Sequence, residues 1–590
     1  MVIPERQTHP GLEAEPLPVA LYRPMERSWT FSTPTGLDVA RSIAREFNLA
    51  PSLAPLLVRA GLLELDRAQR FLFPRLRDLG DPFLISGIRA AVERTFYGID
   101  HGQKIVLYGD YDVDGVTSVA FLARILRAYG ADPTTFLPLR LEEGYGLSRE
   151  GVERCLGTCR PDLLVALDCG TSAADRIAEI EGRGVDVIVI DHHEANHSVP
   201  KCRAFVNPKI SSGYHYLCTA GLVFKLCHAL LRERRLPNVD LKDYLDLVAV
   251  ATVADLVPLV EENRTLVQHG LRRLEETRWI GLRALMGLAG VTPPIRPAHI
   301  SFRVGPRLNA AGRLGVAQDA LDLLLTQDQE IAANLARSLD WQNRDRQSVE
   351  QKTFEEALLR ASDLLQPEAQ SAIVVGSKDW HPGVVGIVAS RLSRQFHRPT
   401  LVIGSDPAAP DGEGRGSGRS IPGFSLVQAL EACSQHLRVF GGHEMAAGLS
   451  LAFEDLEAFA GAFRLIAQEQ LTPELLQRRL DIDVEVTGDD LNGRLLSGHD
   501  LFQPFGIGNA QPVFYLHGVR PFAEPKLVKE KHRVLKLCHG HSLLRAIHFN
   551  GAKESLPQPP WDVAFYLESN TFRGQVQIEL QIEAIRSSTL

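Results

Sequence analysis

Cysteine is scarce: the chain of 590 residues has eight, at positions 155, 159, 169, 202, 218, 227, 433 and 538, with no C-x-x-C pair among them. That spacing excludes a disulfide scaffold and a thiolate metal finger, and predicts reduced, partly buried thiols. Long apolar runs are missing too, since no stretch approaches the ~20 residues that a membrane span needs. The first 24 residues carry five prolines and the acids Glu5, Glu13 and Glu15, without an apolar run beside a basic start. They do not read as a signal peptide, so a cytoplasmic protein with no membrane partner is expected. Positive charge is not in excess either. The formal net charge of −8 excludes a chain that clings to nucleic acid over its whole surface, but allows a local basic groove. A hydrophobic content of 45% with 23% charged residues is that of an ordinary globular chain, and the length predicts about three or four domains.

The texture of the chain predicts five segments. Residues 1–85 read as a helical lead-in, with apolar residues three and four apart from about Asp38 onward. Residues 86–315 hold short apolar runs followed by helices: KIVLYGD (104–110), TTFLPL, PDLLVALD (161–168) and DVIVID (186–191), then helical stretches at 219–235 and 241–256. This is the pattern of a parallel βαβ sheet. Residues 316–365 are nearly free of glycine and proline and predict one long connecting helix. Residues 366–474 form a second, smaller α/β domain around SAIVVGS and PTLVIGS, with GEGRGSGRS (412–420) read as a flexible glycine loop. Residues 475–590 carry short strands and predict an all-β barrel.

The chemistry lies in the placement of aspartates. Ligands in an open parallel sheet sit beyond the carboxyl ends of the strands, and Asp110, Asp168 and Asp191 each end an apolar run. The first run continues as GDYDVDG, so Asp110, Asp112 and Asp114 recur every second residue before a helix. The third ends in DHHE, which adds His192 and His193, and the helix at 241–256 ends in ATVADLVPL with Asp255. A strand-end aspartate on its own can simply cap the next helix, and an isolated histidine is more often core or surface. The joint pattern is harder to explain that way. So many converging carboxylates need counter-charge, and two divalent cations supply it. Oxygen donors with one or two imidazoles suit Mn²⁺ or Mg²⁺, and the reaction class is metal-assisted hydrolysis of a phosphate ester.

The segments GDYDVDGVTS, LDCGTS, IDHHE and TVADLVPL resemble, in order, the four motifs of the DHH phosphoesterase superfamily, and GGHEMAAGLS resembles the motif of its associated DHHA1 domain. RLEEGYGLS, PRLNAAGRLG, SGRSIPG and FQPFGIGNAQPVF resemble signatures of the single-strand-specific exonuclease branch of that superfamily, over about residues 40–590. The resemblance implies a parallel-sheet DHH domain joined by a long helix to a smaller α/β DHHA1 domain, followed by an oligonucleotide-binding (OB-like) barrel. It implies that Asp112, Asp114, Asp168, His192 and Asp255 hold the two cations, with Asp110 a further acid beside them. Tyr108 stands where other members place a histidine. His193 would lie against the scissile phosphate, with Asp191 orienting its neighbours or capping the turn.

The implied activity is 5′-to-3′ exonucleolytic release of mononucleotides from single-stranded DNA in recombination and repair. A single-strand-binding protein is the implied partner, and a monomer is expected. Arg313, with Arg303 and Arg307 near it and Asn309 as a donor, would bind phosphates. Ser417 and Arg419 on the glycine loop, with Arg140, would receive the 5′ end, and Gly441, Gly442 and His443 would lie near the metals. In the barrel, residues 511–550 carry seven Lys or Arg against two Glu, a local basic patch with Phe514, Tyr515 and Phe522 nearby. Two alternatives are a DHH phosphodiesterase of short RNA or cyclic dinucleotides, and a non-catalytic replication scaffold. The barrel argues against the first and the full set of acids against the second.

Overall fold

The computed structural model describes residues 27–31, 34–139, 142–195, 199–211, 213–314, 316–364, 371–405, 412–572 and 575–588. Arg140 lies outside them. The chain forms two compact units, one of residues 29–348 with 481–590 and one built mainly of residues 349–480.

The larger unit contains a five-stranded parallel sheet of β1 (Ile105–Gly109), β2 (Thr134–Phe136), β3 (Leu163–Leu167), β4 (Asp186–Ile190) and β5 (Ala204–Val206). Its spatial order is β2-β1-β3-β4-β5. Alternate residues serve two cores. Leu107, Val165, Ile188 and Ile190 pack with α1 (Val113–Ala128), α2 (Thr219–Glu233) and α3 (Leu245–Ala254), while Val106, Tyr108, Leu164, Ala166 and Val187 pack with Cys155, Ile177 and Ile180. Burial on both faces is why these strands read as unbroken apolar runs. The chain order reverses between β1 and β3, so a crevice opens there at the carboxyl ends.

Where one helix was expected over 316–365, there are two. A short helix ends at Leu325, and Asp328 restarts the chain by accepting the N–H groups of Glu330 (2.7 Å) and Ile331 (3.0 Å). Upstream of both lies α4 (Gly305–Leu314), and the restarted helix α5 (Gln329–Leu364) continues into the smaller unit.

The smaller unit is a mixed sheet of β6 (Ile373–Gly376), β7 (Thr400–Ser405), β8 (Glu413–Arg419), β9 (Val439–Gly442) and β10 (Ala446–Ala452), in the order β9-β10-β8-β7-β6. Packed against β7 and β8 is α6 (Pro382–Phe396). The segment read as a flexible glycine loop is β8, the central strand. Its glycines recur at period two: a Cβ on Gly416 would lie 2.9 Å from Ile403 Cγ1, and one on Gly418 2.5 Å from Leu401 Cδ2. Neighbouring side chains therefore close over the bare face, and Arg415, Ser417 and Arg419 project from the other.

The C-terminal strands form a closed barrel in the larger unit: β11 (Val484–Glu485), β12 (Phe514–Pro521), β13 (Lys526–Val528), β14 (His532–His539), β15 (Ser542–His548), β16 (Trp561–Phe572) and β17 (Gln575–Ser587). Pairing runs β11-β12-β16-β17-β15-β14-β13, and β12 also pairs β14. The lead-in is not a separate layer. Its helices at Leu37–Glu46, Ala54–Arg59 and Leu65–Leu72, with the turn Pro51–Leu53, bury Ile43, Leu53, Leu57 and Leu72 in one core with Phe514, Leu535 and Phe565 of the barrel. Arg264, 2% exposed, ties these parts together by donating to the carbonyls of Phe71 (2.9 Å), Phe502 (3.0 Å) and Leu501 (2.8 Å). All eight cysteines are free thiols. No helix among the described residues is long and apolar enough to cross a membrane.

Candidate metal centre

The carboxyl ends of β1, β3 and β4 carry the acids. After β1 the chain turns sharply into α1, and Gly115 permits the turn, since a Cβ there would lie 2.4 Å from the Asp110 carbonyl oxygen. Asp112 caps α1, accepting from the N–H groups of Asp114 (2.9 Å) and Gly115 (3.1 Å). Asp168, directly after β3, has left-handed backbone with φ of 65°. Asp114 is buried, and both of its oxygens accept from the first turn of α2: Oδ2 from Thr219 N–H (2.7 Å) and Oδ1 from Ala220 N–H (2.8 Å). The Thr219 hydroxyl donates to Asp168 Oδ1 (2.9 Å), so this one residue joins two acids.

Donor atoms converge in three overlapping sets, each within 4.8 Å: Asp110, Asp112 and Asp168; Asp114, His192 and Asp255; and Asp168, His192 and His193. His192 is 5% exposed and neither ring nitrogen makes a hydrogen bond. Its Nε2 lies 3.3 Å from Asp255 Oδ2, 3.4 Å from Asp168 Oδ1 and 3.7 Å from Asp114 Oδ2. Donors at such spacing, buried and not bonded to one another, suit cations bound at about 2.1 Å from each oxygen. A mixed carboxylate–imidazole set suits Mn²⁺ or Mg²⁺.

The electrostatics are those of a crowded acid pocket. Burial, then the Asp112 charge, pushes Asp114 up to about 6. Burial with Asp114 and Asp112 pushes Asp255 up to about 9, and the same causes hold Asp168 well above the usual carboxylate range. Burial and the neighbouring His193 charge press His192 down to about 3, leaving the neutral imidazole that a metal takes. His193 goes the other way. Burial opposes its charge, but the Asp191 carboxylate outweighs it and raises His193 to about 9.

Asp191 is more than a cap. Its Oδ1 accepts from His193 Nδ1 (2.7 Å) and from the N–H groups of His192 (2.8 Å) and His193 (3.2 Å), while Oδ2 accepts from Thr171 N–H (2.9 Å). Although burial works against it, these bonds hold Asp191 below the usual range. The Tyr145 hydroxyl stands 3.1 Å from His193 Nε2 and 3.2 Å from the Asp168 carbonyl oxygen. Tyr108 is outside the centre: fully buried, it donates to the Gly146 carbonyl (2.9 Å) and stacks on Phe136. Thr219 and Tyr145 carried no assigned role in the sequence. Tyr145 lies in the quoted segment RLEEGYGLS, but nothing local marks Thr219.

Asn309 on α4 accepts the Val113 N–H with Oδ1 (3.1 Å), so it steadies the metal loop through its oxygen. Arg313 lies in the same helix, beside Gly312, where a Cβ would lie 3.0 Å from the Tyr111 carbonyl oxygen. The expected phosphate role of their neighbours is weakened: Arg303 donates to the Gly290 carbonyl (2.6 Å) and Arg307 pairs with Asp340 (2.9 Å). Ser417, Arg419, Gly441, Gly442 and His443 belong to the smaller unit. Arg419 Nη1 lies 3.2 Å from Ser417 Oγ on the side-chain face of β8. Gly442, with φ of 143°, ends β9 at a hairpin where a Cβ would lie 2.5 Å from the Ala446 carbonyl oxygen, and His443 is exposed at that turn. Of the barrel aromatics, Phe514 and Tyr515 are buried and Phe522 is exposed, as are Arg520, Lys526, Lys529, Lys531 and Lys536.

Comparison with known proteins agrees with this layout. The DHH family N-terminal domain matches residues 104–252, the DHHA1 domain residues 369–469, and the RecJ OB domain residues 482–584. The chain is 35% identical over 581 residues to the single-stranded-DNA-specific exonuclease RecJ of Dickeya dadantii, covering 92% of this chain and 98% of that one. It is 37% identical over 481 residues to RecJ of Bacillus subtilis, covering 80% of this chain but 60% of the longer relative. Among solved structures, RecJ from Thermus thermophilus in complex with Mn²⁺ superposes with a TM-score of 0.81 at 30% identity, over 95% of this chain and 80% of that one.

Proposed function

This chain belongs to the RecJ family of single-stranded-DNA-specific exonucleases, and on that premise we propose that it removes mononucleotides from the 5′ end of single-stranded DNA in recombination and repair. The observation that carries the reading is His192, buried without a hydrogen bond and faced by Asp114, Asp168 and Asp255.

Asp110, Asp112 and Asp168 would hold one cation, and Asp114, His192 and Asp255, with Asp168 shared, the other. The cofactors are divalent cations, Mn²⁺ or Mg²⁺, which supply charge neutralisation at the phosphodiester and a lowered pKa for the attacking water. Asp191 keeps His193 cationic at neutral pH and fixes its ring, so His193 is set to stabilise phosphate charge and to give up a proton. Tyr145 holds the other edge of that ring. Arg313 would draw the strand across the site, Ser417 and Arg419, with Arg140, would receive its 5′ end, and Gly441, Gly442 and His443 would be further substrate-binding residues. The exposed lysines of the barrel offer phosphate contacts. A single-strand-binding protein as partner, a monomeric state and a cytoplasmic location complete the proposal.

The test offers 5′-labelled and 3′-labelled single strands, with and without a 5′ phosphate, beside duplex and short RNA, in Mg²⁺ and in Mn²⁺. Mononucleotides from the 5′ end of single strands alone are expected. Early loss of the 3′ label would overturn the polarity, and binding without cleavage would favour a scaffold.

A further inference from the structure

A pocket of about 200 Å³ opens in the larger unit, lined by Leu256, the residue after Asp255, and by Val257, which packs against Ala220, the donor to Asp114. Three segments build it: the end of α3 with the loop after it, the chain just before α4, and the loop leading into β12 from the segment FQPFGIGNAQPVF, which the assigned activity leaves without a task. Leu256, Phe302 and Ile507 line it and are 61%, 75% and 53% exposed. Large apolar side chains held this far into solvent around one concavity mark a binding surface more often than a packing defect.

The backbone is arranged to hold them there. Leu256 follows the metal-facing Asp255 immediately, at the position just past the end of α3, and has left-handed backbone, φ 59°, where glycine is the unstrained choice. Phe302 sits in a single π-turn, Ile300–Val304, which swells the helix and turns the ring outward. Ile507 is carried on a loop that reaches the Asp255 segment only because its neighbours lack side chains. A Cβ on Gly506 would lie 2.7 Å from Leu259 Cδ1, and one on Gly508 would meet Pro258 and Val260 at 3.1 Å, in a residue with φ of 74°. The Leu259 N–H then donates to the Ile507 carbonyl (2.7 Å), locking the two loops together.

The chemistry of the lining identifies the occupant. Sites for whole small ligands run from about 300 Å³ upward, so this one fits a single ring system. Its walls are an aromatic face and aliphatic chains, and of its polar members Thr252 spends its hydroxyl on the Val248 carbonyl (2.7 Å). A surface with a stacking face and few groups to read hydrogen-bonding edges accepts any base alike, which a nuclease that must degrade every sequence requires.

We propose that this pocket is a nucleobase subsite, in which Phe302 stacks on one base of the strand whose phosphodiester lies at the metal centre, between the walls formed by Leu256 and Ile507. The proposal rests on the exonuclease reading and adds to it the residues that hold the strand in register.

The test pairs the variants Phe302→Ala and Leu256→Asn with single strands carrying one abasic site at successive positions from the 5′ end. Phe302 is mostly exposed, so its truncation leaves no cavity, and asparagine tolerates the left-handed conformation at 256. Removing the stacked base should raise the wild-type KM about tenfold at one position only, and Phe302→Ala should raise it by about as much on intact DNA. At that position the two losses should not add. A wild-type KM in both variants, or equal sensitivity to abasic sites at every position, overturns the subsite and leaves the exonuclease reading standing. Absence of nucleotide release by the wild-type protein from any single strand in Mn²⁺ would instead overturn the reading beneath it. Capture of a protein segment by the pocket, with DNA kinetics unaffected by Phe302→Ala, would also overturn the proposal.

Discussion

Loading the metal centre should expel protons, and their number follows from its geometry. Without a cation, Asp255 is raised to about 9 and Asp168 stands well above the usual range, because both are buried among other carboxylates. At pH 7 Asp255 carries a proton, whereas Asp114, raised to about 6, is mostly ionised. A cation takes only the ionised forms, so binding should release at least the proton of Asp255. Stripping one proton from a group two pKa units above the solution pH costs about 3 kcal/mol, and affinity should fall at least about tenfold for each pH unit lost below neutrality. Titration calorimetry with MnCl₂ in two buffers of different ionisation enthalpy reads the proton count directly. At least one proton is expected for the wild-type chain and about one fewer for Asp255→Asn, with His193 keeping its proton through its bond to Asp191. A release below about half a proton, or a pH-independent affinity, would refute the claim that these acids crowd one another in the empty pocket.

Away from the metals, Arg264→Ala would leave the carbonyls of Phe71, Leu501 and Phe502 without their donor, at about 1 kcal/mol or more each. Urea unfolding should show a loss of about 3 kcal/mol, which Arg264→Lys does not restore because an ammonium cannot span the three acceptors in the same plane. Asp246, 0% exposed and pushed up to about 6 by burial, binds its proton more tightly folded than unfolded. Its contribution is therefore complete below about pH 4 and lost as the pH rises through 6. Asp246→Asn should accordingly raise the Tm at pH 8 and give no gain at pH 4.

Much of the metal centre could be read from the sequence because a parallel sheet makes the reading simple. Each strand is an unbroken apolar run, and whatever follows it faces the same crevice, so Asp110, Asp168 and Asp191 announce themselves by position. Thr219 does not, since its task depends on Asp114 and Asp168, which lie 105 and 51 residues earlier in the chain. The glycine segment misled for a different reason. Its composition is that of a loop, while its period of two is that of a strand whose bare face is covered by Ile403 and Leu401. The break at Thr326–Asp328 was hidden because a helix start inside a polar, glycine-free stretch is marked only by a capping side chain. The union of the lead-in with the barrel could not be seen at all: Leu53 and Phe565 share a core across most of the chain, and no local pattern encodes which apolar face meets which.

The backbone of Asp168 bears on how the enzyme should be dissected. Alanine at a left-handed position is strained, whereas asparagine occupies it readily. The customary alanine knockout would therefore alter two things in one stroke, discarding a carboxylate and bending the path of the polypeptide beneath its neighbours. Only the amide replacement isolates the charge, and a difference in activity or metal uptake between the two variants would measure how much of the pocket's shape depends on that single torsion.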